Sequence, residues 1–68
     1  MIDISAVQEP WFIYGMGEDV KPIIFKGDTH AHLGYWCDLQ HRNGGLLTKG
    51  QGQTLQEAID AAVQAIPL

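Results

Sequence analysis

Gly50-Gln51-Gly52-Gln53-Thr54-Leu55-Gln56-Glu57-Ala58-Ile59-Asp60-Ala61-Ala62-Val63-Gln64-Ala65-Ile66-Pro67 decides the fold of this chain. Thr54, followed three residues later by Glu57, has the spacing of a capping box, in which each side chain accepts a hydrogen bond from the other's backbone amide. Leu55, Ala58, Ile59, Ala62, Val63 and Ile66 recur at helical spacing and make one apolar stripe. Gln56, Glu57, Asp60 and Gln64 fall on the outer face, and Pro67 cannot continue the helix. The spacing predicts a helix over 54–66. A single helix with one apolar stripe needs a sheet to lie on.

The residues upstream supply one. Thr29 to Gln40 is the longest extended candidate, with Ala31, Leu33, Tyr35, Cys37 and Leu39 alternating against His30, His32, Gly34, Trp36, Asp38 and Gln40. Period-two alternation of this kind predicts one apolar face and one mostly polar face. Before it, Pro22-Ile23-Ile24-Phe25-Lys26 is β-branched and aromatic, and Gly27-Asp28 suits a two-residue hairpin turn. After it, Asn43-Gly44 predicts a second turn, and Leu46 to Lys49 returns as a third strand that Gly50 and Gly52 end. Trp11-Phe12-Ile13-Tyr14 reads as an extra edge strand or an aromatic clasp, broken by Gly15-Met16-Gly17. The expected fold is α+β, a three- to four-stranded antiparallel meander packed on one C-terminal helix. It makes a single small domain over 1–68, with 1–20 irregular or edge strand, 21–50 the meander and 54–66 the helix.

Composition bounds the function. The chain has 68 residues, 46% hydrophobic and 18% charged, which is ordinary for a globular domain. A chain this short buries only roughly 60% of its unfolded surface, so pairing with itself or a partner is a standing expectation. The formal net charge is −4, with only four Lys and Arg residues. That argues against direct contact with nucleic acid, which needs clustered basic side chains. Asp28, Asp38, Glu57 and Asp60 would instead steer the chain to a basic protein. One cysteine, Cys37, excludes an internal disulfide framework, and the N-terminus lacks the basic and apolar regions of a signal peptide. No stretch reaches the roughly 20 apolar residues of a membrane span. The expectation is a cytoplasmic protein with no membrane contact.

Four features could bear chemistry. Asp28, His30, His32, Cys37, Asp38 and His41 are all of metal-ligating type, and His30-x-His32 on a strand places two imidazoles on one side. Unbroken alternation then sets Cys37 on the opposite face, and Asp38 roughly 20 Å from His32 at about 3.3 Å per residue. A polar sheet face that carries histidines is the simpler reading, so no cofactor is expected and His30 and His32 are the residual metal candidates. Cys37 lies on the apolar face, where a thiol behaves as a small hydrophobe, and no catalytic residue or enzymatic activity is expected. Gly50-x-Gly52-x-Thr54 resembles a phosphate cradle at a helix start, but it lacks the lysine and hydroxyl that close a P-loop. Trp36 falls among the polar positions. There it either meets a partner or lies under residues 11–14.

Two families resemble this pattern. Asp38-Leu39 in an extended strand, followed by Gly52-Gln53-Thr54-Leu55-Gln56-Glu57-Ala58, is similar to the HicB-type antitoxin domain, where a Gly-x-Thr-x-x-Glu-Ala helix start follows an Asp-Leu strand. The resemblance covers about residues 22–66. It departs from that family after Leu39, where Gln40-His41-Arg42 replaces a proline-glycine-cysteine turn, in having no appended DNA-binding segment, and in its aromatic N-terminus. The double-stranded RNA-binding domain is the second resemblance, through Gly50-x-Gly52-x-Thr54 and Ala58, Ala61, Ala62 and Ala65. Its phosphate-gripping lysines are replaced here by Gln56 and Glu57, so the shape is shared without the RNA-binding groups.

The functional expectation is a small acidic protein-binding module that regulates or inhibits a partner protein, antitoxin- or inhibitor-like. Its contact residues are expected to be Trp36, His30, His32, Asp38 and Arg42. The partner would be basic, such as a nucleic-acid-processing protein, and a homodimer through a strand edge or the Trp36 face is expected as well. The alternative is a metal- or small-ligand-binding module using His30 and His32.

Overall fold

The computed structural model describes residues 1–23 and 29–67. Three antiparallel strands, β1 (Trp11–Ile23), β2 (Thr29–His41) and β3 (Leu47–Gly52), form one sheet in the order β1-β2-β3. The helix α1 (Leu55–Gln64) follows and lies mainly over β3 and β2. The α+β meander with one C-terminal helix is therefore the fold.

The helix forms as its sequence dictates. Thr54 has extended backbone and accepts from the Glu57 amide at 3.1 Å, while the Thr54 amide donates to the Glu57 carboxylate at 3.1 Å. Both halves of the capping box are present. Ala58, Ile59 and Ala62 are fully buried together with Cys37 and Leu39 of β2, and Leu55, Val63 and Ile66 pack around them. The Thr48 hydroxyl is buried beneath the helix and donates to the Ala62 carbonyl at 3.0 Å. A buried hydroxyl of this kind would be costly without such an acceptor.

Gly50 explains why the helix sits so close. A Cβ placed on Gly50 would lie 2.2 Å from both the Ala58 carbonyl oxygen and the Ala62 amide nitrogen. The third strand runs on through Gly50 to Gly52, where the sequence suggested an end. These glycines let a helix backbone rest on a strand backbone.

β1 differs more from expectation. Trp11 to Ile23 is one edge strand of 13 residues that passes straight through Gly15-Met16-Gly17. Glycine weakens an isolated strand, but here pairing with β2 on one side holds it extended. Pro22 and Ile23 are the end of this strand. The expected strand residues Ile24 to Lys26, and the Gly27-Asp28 turn, lie outside the described residues. The Asn43-Gly44 turn is as expected, with Gly44 at a φ of 75°.

Two irregularities interrupt the β1–β2 ladder, one at Tyr14 and one at Leu33. Each adds a residue to one strand and so reverses which face the following side chains occupy. At the second, Gly34 takes a φ of 118°, a conformation that side-chain-bearing residues rarely adopt. The first ten residues form turns closed by Val7 N–H to Ile4 O and Trp11 N–H to Gln8 O. Gln56 ties this segment to the helix, accepting from the Asp3 amide at 2.6 Å and donating to the Asp3 carbonyl at 2.8 Å. Gln56, expected on the outer face, is half-buried by that contact.

Candidate functional site

The helix covers one face of the sheet and leaves the other open. Trp36 lies on this open face, since its neighbours Tyr35 and Cys37 belong to the helix-side core. Its indole rests on β1, where Cβ atoms added at Gly15 and Gly17 would meet the ring at 3.3 and 3.2 Å. Gly17 pairs with Trp36 and Gly15 pairs with Asp38 across the ladder. The missing side chains of Gly15-x-Gly17 thus make a flat bed for the ring, and Trp36 is half-buried. Of residues 11–14, Trp11 and Ile13 do not cover it. They pack into the helix-side core instead.

Beside the indole, a shallow cleft of ≈ 350 Å³ is lined by Asp19, Trp36, Asp38, Lys49, Gly50 and Gln51. The register explains the grouping. Lys49 stands opposite Asp38, Gln51 opposite Trp36, and Asp19 opposite Gly34. The lining therefore offers an aromatic face, two carboxylates, one ammonium and one amide. An aromatic ring flanked by carboxylates suits a guanidinium or ammonium group, through the ring quadrupole and charge-assisted hydrogen bonds.

The five expected contact residues are not brought together. Trp36 and Asp38 share the open face. His32 is on the helix side: its Nδ1 meets the Glu18 carboxylate at 2.5 Å, and its ring stands edge-on to Tyr35 at 5.0 Å. His30 pairs with Pro22 one alternation further along and shares that side. The expectation that His30 and His32 accompany Trp36 is corrected by the bulge at Leu33, which turns the strand over between them. Arg42 lies in the β2–β3 turn, where its guanidinium meets the Glu9 carboxylate at 2.5 Å and its amide donates to the Pro10 carbonyl. Arg42 fastens the N-terminal segment to the turn. It lies four residues, roughly 13 Å, beyond Asp38.

The same bulge sets Cys37 and His32 on one face, contrary to expectation, but with Tyr35 between them. Among the described residues, no three His, Cys, Asp or Glu side chains converge as a metal site would require. Cys37 is fully buried, and desolvation, with a smaller contribution from Asp38, pushes its thiol pKa up. That favours an inert protonated thiol. His41 ends β2, where Nδ1 accepts from the Asn43 amide and the ring stands edge-on to Trp11 at 5.2 Å. No described helix is long and apolar enough to cross a membrane.

Lys49 and Gln51 were not anticipated as site residues. Their signal was present in the alternation of Leu47-Thr48-Lys49-Gly50-Gln51, which places Leu47, Lys49 and Gln51 on one side and Thr48 and Gly50 under the helix. Searches against protein-family models, curated proteins and solved structures find no match to this chain.

Proposed function

We propose that the protein is a small protein-binding module that regulates or inhibits a basic partner, and that it takes an arginine or lysine side chain of that partner against Trp36. The observation that supports this reading is the indole lying flat on Gly15 and Gly17 with Asp19 and Asp38 beside it. Tryptophan is among the residues enriched at interaction hot spots. The net charge of −4 favours a basic partner at long range. The sequence resemblance to HicB-type antitoxins, carried by Gly52, Thr54, Glu57 and Ala58, agrees with an inhibitory role. The metal-binding alternative is weakened by the engagement of His32 with Glu18 and Tyr35.

Titration of the isotope-labelled protein with N-acetyl-arginine methylamide tests the cleft chemistry. The NMR shifts are expected to concentrate at the Trp36 indole, Asp38, Lys49 and Gln51, and to vanish in Asp38→Asn. Shifts spread evenly over the acidic surface, or unchanged by Asp38→Asn, would refute the proposal.

A further inference from the structure

The chain exposes 5064 Å². A compact monomer of this mass exposes only about 4,200 Å². The radius of gyration is 14.0 Å, whereas a compact domain of this length has roughly 11 Å. The surplus over a compact chain is roughly 800 Å². Among the described residues five hydrophobic side chains are fully buried, so the fold has a small core and much to gain from covering more surface.

β1 shows where the cover is missing. It is an edge strand, and Glu18, Asp19, Val20, Lys21 and Pro22 are exposed five in a row, so neither face of this stretch is covered. An edge of this kind presents free backbone donors and acceptors to another strand. Its charges are self-complementary. When two copies of an antiparallel strand pair about a two-fold axis, the axis passes through one residue and its neighbours pair crosswise. With Val20 on the axis, Asp19 faces Lys21 of the second copy twice, and Val20 packs on Val20. Moving the axis to Glu18, Asp19 or Lys21 sets like charge against like, which is unfavourable across a strand pair.

We infer that the protein forms a two-fold dimer by antiparallel pairing of the β1 edges about Val20, with Asp19 of each copy against Lys21 of the other, joining two sheets into one of six strands. The occupant of this edge is a second copy because the strand complements itself in charge. Asp19 also lines the Trp36 cleft, so the dimer and the cleft share this carboxylate, whereas Lys21 belongs to the edge alone.

Sedimentation equilibrium of the full chain over a wide concentration range tests the inference. The expected mass is twice the 7.5 kDa of one chain. Asp19→Lys and Lys21→Asp are each expected to weaken the dimer about tenfold by turning two attractions into two repulsions. The double variant Asp19→Lys/Lys21→Asp is expected to restore it, and Trp36→Ala to leave it unchanged. A single-chain mass at all concentrations overturns the inference. So does a charge swap that leaves association untouched, or a double swap that fails to restore it.

Discussion

Trp36 rests against Gly17, close enough that a Cβ on Gly17 would meet the indole at 3.2 Å. This pair converts a sequence feature that reads as a strand break into the floor of the candidate site. Gly17→Val must push the ring outward, because the added methyls extend beyond that Cβ. Crowding of this kind costs about 1–3 kcal/mol. The urea midpoint should fall accordingly, and the Trp36 indole resonance should move while that of Trp11 stays in place. An unmoved indole would mean that the ring does not lie on β1.

Gly50→Ala should be more damaging than Gly17→Ala. At Gly50 the new Cβ meets two backbone atoms at 2.2 Å, whereas at Gly17 it meets only the face of a side chain. The helix must lift from β3 and lose part of the packing of Ala58 and Ala62. A loss of roughly 3 kcal/mol or more is expected from the change in urea midpoint, at the upper end of overpacking costs. Equal midpoints for the two alanine variants would contradict the close approach of α1 to β3.

Cys37 should be unreactive in the folded protein. Its thiol is buried under the helix and its pKa is raised by that burial, so the protonated form is favoured in the native state. A raised native pKa stabilises the fold fully below the ordinary thiol value of 9.0 and loses that contribution as pH rises through the native value. Stability measured by urea should therefore decline above about pH 9, and Cys37→Ala should flatten part of the decline. Rapid native-state labelling by a thiol reagent at neutral pH would count against this placement.

Thr54→Ala should cost about 1 kcal/mol, because it leaves the Glu57 amide without its hydroxyl acceptor. Thr54→Ser should retain most of the stability. Thermal unfolding of both variants separates the cap from a packing effect of the threonine methyl, and equal losses would point to packing.

The helix and its partners were legible in the sequence because capping and a 3.6-residue stripe are local signals. Each of Leu55, Ala58, Ile59, Ala62, Val63 and Ile66 faces the core as its spacing requires. The site was less legible because its geometry depends on two bulges. Alternation alone places His32 and Trp36 on one face, and the extra residue at Leu33 separates them. A bulge is chosen by the pairing of two strands and not by either strand alone, so period-two counting carries no trace of it. Gly34, whose φ of 118° accompanies the reversal, was the local hint. Gly15-x-Gly17 was misread for a related reason. A glycine pair looks like a break until the tryptophan that lies on it is known to be opposite.

Comparative capture from native cells tests the central claim most directly, using the wild-type chain, Trp36→Ala and Gln64→Ala as baits in parallel. Gln64 lies exposed on the outer face of the helix, away from the open sheet face. One basic protein should be retained by the wild type and by Gln64→Ala and lost from Trp36→Ala, with an affinity drop of at least roughly thirtyfold for a hot-spot tryptophan. The same proteins held equally by all three baits would contradict the account.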